Sequence, residues 1–95
     1  MITAIVMISC AVDRIPEVGQ GIADLDGVTE VYSVTGDADL IATVRVRDHE
    51  QLADVIADRL NKVDGVVGTS THIAFRTYSK HDSEAAFSIG IDGGD

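Results

Sequence analysis

The chain of 95 residues has no tryptophan, two phenylalanines, two tyrosines, one proline and one cysteine. Without large aromatics its core has to be assembled from Val, Ile, Leu and Ala, the composition of an aliphatic, soluble globular domain. A lone Cys10 excludes an internal disulfide framework and suits a reducing compartment. Cations are scarce as well: seven Lys and Arg against sixteen Asp and Glu leave a formal charge of −9. Such a surface repels phosphate backbones and anionic lipid, so direct nucleic-acid or membrane binding is not expected. No apolar run is long enough to span a bilayer. Residues 4–12 come nearest, but Ser9 and Cys10 interrupt them, Asp13 and Arg14 follow at once, and the cationic start of a signal peptide is missing. A cytoplasmic protein is expected.

Clusters with obvious chemistry are also missing. His49, His72 and His81 have no metal-ligand spacing among themselves or with Cys10. Ser9 and Cys10 have no evident paired base, and no Gly-rich phosphate loop follows a strand. Asp37 and Asp39 supply two carboxylates, well short of a calcium loop. No cofactor or metal is expected.

What is there is enough for one domain, which at this length buries about 60 to 65% of the surface of its unfolded chain. Residues 2–11 are expected to form a strand that is apolar on both faces, with Ile2, Ala4, Val6, Ile8 and Cys10 on one and Ile5 and Met7 on the other. From Asp13 the period changes: Ile15, Val18, Ile22 and Leu25 recur at helical spacing, with Asp13 placed to cap and Pro16 tolerable in the first turn. Residues 28–35 are expected as the second strand, Val28, Tyr32 and Val34 alternating with Thr29, Val31 and Ser33. Residues 40–47 are the third, with Leu40, Ala42, Val44 and Val46 facing the core. Asp48 and Gln51 form a variant of the capping box before a second helix whose stripe is Leu52, Val55, Ile56, Leu60 and Val63. Residues 66–78 are the fourth strand.

Each half ends its helix on the same signal, Leu25-Asp-Gly-Val28 and Val63-Asp-Gly-Val66. Two such βαβ halves joined by a hairpin give βαββαβ, a ferredoxin-like α+β sandwich: a four-stranded antiparallel sheet with both helices on one face. Right-handed crossovers place the first and third strands at its centre. The other face, carrying Ile5 and Met7 and, on this reading, Ile73 and Phe75, is apolar and needs a cover. A second subunit packed sheet against sheet supplies one, giving a dimeric α+β barrel. At about 25 cal/mol per Å², a few hundred Å² hidden in this way contribute several kcal/mol. The domain is expected to cover residues 1–79. Residues 80–95 differ in composition; the last four are expected to be disordered, while Phe87, Ile89 and Ile91 alternate and suit a short strand or a helical turn that latches onto a neighbouring subunit.

Residues 34–40, Val-Thr-Gly-Asp-Ala-Asp-Leu, join the second and third strands with almost nothing between them. Gly36 takes φ > 0 without steric cost, and Asp37 and Asp39 can fold back onto backbone N–H groups, so a solvated acidic turn accounts for the motif. The same features leave amides and carboxylates at the rim of a sheet, where a small zwitterion can be held. Local sequence leaves both readings open.

The order of these motifs resembles the effector-binding domain of the Lrp/AsnC family, the RAM domain. The resemblance spans residues 1–79 and rests on the apolar first strand, the two Asp-Gly-Val stops, residues 31–40 through the hairpin, and the Thr69, Ser70, Thr71 step. Full members carry a helix-turn-helix domain, whereas this sequence opens on the first strand of the effector domain and is similar to a stand-alone version. The family implies an amino acid or related small-molecule effector, homodimers assembling into rings, and control of transcription without DNA reading by this polypeptide. Carried over, it implies ligand contacts from Gly36, Asp37, Ala38 and Asp39, whose amides face the ligand carboxylate and whose oxygens face its ammonium. Thr69, Ser70 and Thr71 would add hydroxyls, although a Thr-rich strand is also ordinary β chemistry. Tyr32, Val34 and Leu40 would shape the pocket or the interface. No enzymatic activity is expected. The alternatives are a small ferredoxin-like enzyme resembling the antibiotic-biosynthesis monooxygenases, and a ligand-independent assembly partner of full-length Lrp/AsnC regulators.

Overall fold

The computed structural model describes residues 1–80. The expectations for Phe87, Ile89, Ile91 and the last four residues lie outside the described residues. Chain order is β1 (Ile2–Cys10), a 3₁₀ turn (Val12–Arg14), α1 (Ile15–Ala23), β2 (Val28–Ser33), β3 (Leu40–Val46), α2 (His49–Ala53) and β4 (Val66–Ala74). Between α2 and β4 the helix continues as a wide π segment (Asp54–Arg59) and a tight 3₁₀ turn (Leu60–Lys62). The sheet is antiparallel in the order β2-β3-β1-β4, so the first and third strands are central as expected.

The central pair determines where the core sits. β1 and β3 run in continuous register from Ile2↔Val46 to Ile8↔Leu40. Opposed residues of an antiparallel pair share a face, so this register puts Ala4, Val6 and Ile8 beside Val44, Ala42 and Leu40. All six are buried, together with Val18 and Ile22 of α1 and Leu52, Val55 and Leu60 of the second helical segment. Asp48 caps α2 as its sequence foretells: its carboxylate accepts from the Gln51 amide at 2.8 Å, and the Gln51 side chain accepts from the Arg47 amide at 2.8 Å. The π segment suits the spacing of its apolar residues. Val55 and Leu60 are five apart, and the wider turn brings both onto the sheet, where a plain α-helix would swing them about 140° apart.

Three expectations are corrected. Asp13 does not cap α1: it sits in the 3₁₀ turn, and the N-cap is Arg14, with no side-chain cap bond. In β2 the strict alternation fails, because a bulge between Val28 and Glu30 places Val28 opposite Val44 and Val31 opposite Ala42, both toward the helices, and sends Tyr32 to the open face opposite Ile41. In β4 a second irregularity sets Ser9 opposite Gly68 but Cys10 opposite Val66, leaving Val67 over. The extra residue flips everything after it. Ile73 therefore pairs with Ala4 on the helix side, where it stays 47% exposed, and Phe75 lies beyond the end of the strand. The apolar part of the open face is Ile5, Met7, Ile41 and Tyr32 instead.

The two Asp-Gly stops lock the halves together. A Cβ on Gly65, which ends the second helical segment, would stand 2.6 Å from Val18 Cγ2 of α1, and one on Gly27, which follows α1, would stand 3.0 Å from Val55 Cγ2. Gly36 in the hairpin has φ +114 but open space around it.

Asp39 ties that hairpin to β1. Its amide donates to the Ile8 carbonyl at 2.9 Å, its carbonyl accepts from Val34 at 3.1 Å, and its carboxylate accepts from the Cys10 amide at 2.9 Å. A side chain thus continues the β1–β3 ladder one step past its last backbone pair. Burial first, and the Asp39 charge second, push the Cys10 thiol above its ordinary value.

Two measurements check this arrangement. Gly65→Ala combines a positive-φ penalty with overpacking and is expected to cost about 2 to 4 kcal/mol in urea unfolding, against about 1 kcal/mol for Gly36→Ala, which bears the φ penalty alone; equal losses would contradict the contact with Val18. For Cys10 the folded pKa is the higher one, so above the ordinary thiol range the unfolded state loses its proton first and stability falls as pH rises. Unfolding curves from neutral pH to about pH 10 are expected to show this fall in the native protein and a shallower one in Cys10→Ala.

Candidate functional site

The bulge in β4 opens a cleft on the face of the sheet away from the helices. Bulges recur beside binding sites because they interrupt the ladder and re-aim side chains. Here Met7 and Ser9 of β1, Gly68, Thr69 and Ser70 of β4, and Asp37 from the hairpin line a space of about 340 Å³. Gly68 leaves its floor bare: a Cβ built there would meet nothing within 4 Å. The polar groups at hand are the Asp37 carboxylate, the Ser9 and Ser70 hydroxyls and the backbone of residues 68–70. No Lys, Arg or His is among the lining residues, so the only formal charge in the cleft is negative. That combination suits a small ligand carrying a cationic nitrogen and hydrogen-bonding oxygens.

The residues singled out in the sequence are divided by this geometry. Asp37, Thr69 and Ser70 border the cleft. The Thr69 hydroxyl, however, faces the helix side and donates to Asn61 Oδ1 at 2.8 Å. Thr71 pairs with Val6 on that same helix side: side chains alternate along any strand, and the bulge sets the phase that turns Thr69 and Thr71 to the helices and Ser70 to the open face. Gly36 is exposed at the hairpin tip, Ala38 is buried beneath it, and Asp39 is engaged with Cys10 and Ile8. Tyr32 stands on the open face, where a hydrogen bond to Glu30 first, then partial burial and the Glu30 charge, hold its phenol above the ordinary value. Val34 is half-buried in the turn, and Leu40 belongs to the core while bordering a separate groove beside α1.

Ser9, Met7 and Gly68 are the members that sequence reasoning missed. Gly68 carried a signal, since a glycine inside a strand marks a bulge or a close backbone approach. Ser9 carried none, because only the pairing with β4 brings it beside Ser70. A second cleft, of about 390 Å³, lies at the opposite end of the open face among Thr3, Thr29, Glu30, Thr43, Arg45 and Thr77. Its Thr29 and Thr43 hydroxyls are bonded to each other. Among the described residues, no three His, Cys, Asp or Glu side chains converge as metal ligands, and no helix is long and apolar enough to cross a membrane.

Comparison with known proteins matches this architecture. The family model of the Lrp/AsnC ligand-binding domain covers residues 3–84. The HTH-type transcriptional regulator LrpA1 of Halobacterium salinarum is 39% identical over 72 residues, which are 76% of this chain and 49% of the regulator. The crystal structure of TTHA0845 from Thermus thermophilus superposes with a TM-score of 0.79 at 46% identity, over 84% of this chain and 100% of that one. A complex of the transcriptional regulator NMB0573 of Neisseria meningitidis with L-Met has the same fold, with a TM-score of 0.74 at 16% identity over 82% of this chain and 52% of that one. The chain spans about half the length of the curated regulators it matches. With a family model spanning most of its length and a close superposition on a relative of 46% identity, the chain belongs to the Lrp/AsnC ligand-binding domain family.

Proposed function

We propose that this domain senses an amino acid in the cleft at the β4 bulge and reports it through its oligomeric state to transcriptional regulation, without reading DNA itself. The observation that carries the reading is the meeting of Asp37, Ser9 and Ser70 over the bare backbone of Gly68. Asp37 takes the ligand ammonium. The Ser9 and Ser70 hydroxyls beside Gly68 take its carboxylate. With no cation in the cleft, a second carboxylate on the ligand has no partner and is repelled by Asp37, so neutral and basic amino acids are favoured over Asp and Glu. The regulators among the relatives, and the L-Met held by a protein of the same fold, support a small-molecule effector.

The open face supports the oligomer. Ile5 is 40% and Tyr32 47% exposed there, adjoining Met7 and Ile41, and a second copy packed sheet to sheet covers all four. Higher rings of such dimers would bring hairpins of neighbouring dimers together. A charge of −9 opposes direct binding to DNA, which this reading assigns to partner regulators. Val18, Ile22 and Leu60 fill the centre of the space between helices and sheet, and the groove left beside α1 has no titratable side chain in its lining, which counts against the monooxygenase alternative.

A thermal-shift panel with the twenty amino acids, with light scattering on each hit, tests the proposal. At 100 times its dissociation constant the effector adds about 2.7 kcal/mol, or roughly 10 °C for a domain of this size. The hit is expected among neutral or basic amino acids. Gly68→Val fills the cleft at a position free of contacts and is expected to abolish the shift while leaving the unliganded melting temperature nearly unchanged. A response to Asp or Glu alone, or an undiminished shift in Gly68→Val, would move the site elsewhere; no shift at all would favour the ligand-independent assembly partner.

A further inference from the structure

The open face carries two clefts at opposite ends, and each holds a charge that its own subunit leaves unmet. At one end Asp37 lines a cleft with Met7, Ser9 and Ser70. At the other, Arg45 lines a cleft with Thr3, Thr29, Glu30, Thr43 and Thr77. Glu30 receives the hydrogen bond of Tyr32, and the Thr29 and Thr43 hydroxyls bond each other. Neither the Asp37 carboxylate nor the Arg45 guanidinium has a hydrogen bond or an ion pair among the described residues. Nor can the two reach each other. Arg45 pairs with Thr3, whereas the cleft of Asp37 lies at the level of Ser9, six residues along β1 and therefore about 20 Å away.

A second copy laid sheet to sheet on this face has to accommodate both groups, because a charge taken out of water without a partner is strongly destabilising. The midpoint of the line from Asp37 to Arg45 falls between the levels of Ile5 and Met7, whose partners on β3 are Thr43 and Ile41, so a two-fold axis there passes over the apolar centre of the face. Lying along that line, the axis sets each group on its own copy, like charge on like. Crossing the line at right angles, it exchanges the two ends, and each Asp37 meets the partner's Arg45. Intermediate directions leave both groups without a partner. Charge therefore selects the crossing axis. We propose that the dimer is built on it, so that the partner's Arg45 enters the cleft at the β4 bulge opposite Asp37 and completes it. This rests on the sheet-to-sheet dimer and the amino-acid cleft of the proposed function. The cleft's own residues supply no cation, and the partner's guanidinium joins the Ser9 and Ser70 hydroxyls on the ligand carboxylate while Asp37 holds the ammonium. One guanidinium matches one carboxylate, so a second carboxylate on the ligand stays unmatched. Each site is then made by two subunits, and filling it strengthens their association.

Sedimentation equilibrium without added amino acid reads the pairing directly. Arg45→Asp and Asp37→Arg each bring like charges together and are expected to raise the dimer dissociation constant about tenfold or more. Their far-UV circular dichroism is expected to stay native, since neither side chain has a partner in its own subunit. The double reversal, which restores an unlike pair, is expected to return to within about threefold of the native constant. Single reversals without effect, or a double reversal no better than the singles, would overturn the proposal and leave the dimer standing; a monomeric native protein would overturn the sheet-to-sheet dimer and the proposal together. A short bismaleimide checks the orientation independently, because Cys10 is buried. It is expected to link a mixture of Asp37→Cys and Arg45→Cys chains into covalent dimers and to link neither chain alone. Linkage of Asp37→Cys to itself would assign the other axis and overturn the proposal.

Discussion

The ladder between β1 and β3 is the constraint on which the rest of the domain depends. Seven consecutive pairs, from Ile2↔Val46 to Ile8↔Leu40, hold the helix-side residues of both strands on one face. Because the core is built from aliphatic side chains, this face offers area but no directional bonds, and the helices are located by shape. That is where the glycines act. Gly65 lets the chain pass against Val18, Gly27 lets it pass against Val55, and each contact joins the end of one half to the helix of the other. Close packing of this kind tolerates little added volume, which is why two short Asp-Gly signals govern the approach of both helices.

The same ladder supports the candidate site. Where the backbone pairing stops, the Asp39 carboxylate supplies the next acceptor to the Cys10 amide, and the hairpin is thereby fixed over the end of β1. On the other side of β1, the bulge in β4 breaks the pairing at the same level, between Ser9 and Cys10. A rigid strand thus carries a fastened hairpin on one flank and an interrupted ladder on the other, and the cleft with Asp37, Ser9 and Ser70 lies between them. Residues that line the cleft and residues that hold the hairpin are different residues in this arrangement, although Asp37 and Asp39 look alike in the sequence. The single negative charge of the cleft and the acidity of the whole chain act in the same direction, favouring ligands that bring a cationic nitrogen.

Much of this was legible beforehand. Element order, the two helix stops, the Asp48 and Gln51 cap and the hairpin follow from rules that act within a few residues, and periodicity in β3 identified its buried face, whereas β1, apolar on both faces, left its own open. The misreadings share a physical origin. In β2 and in β4 one extra residue is accommodated opposite the partner strand, so the apolar alternation changes phase midway: Val28 and Val31 share a face, as do Val66 and Thr69. Nothing in either strand taken alone marks that slip except Gly68. It decided that Ile73 turns to the helices, that Tyr32 turns away from them, and that it is Ser70 rather than Thr69 and Thr71 that faces the open side.

By itself, then, the sequence determined the aliphatic core, the acidic surface, the βαββαβ order and the turn at Gly36, because these depend on composition and on backbone preferences over short spans. The tertiary structure alone decided which side chains meet. Strand register and bulges are properties of a pair of strands, settled by the ladder each makes with its neighbour, and only the completed sheet places Ser9 beside Ser70, Asp39 beneath Cys10 and the groove of α1 beside the free edge of β2.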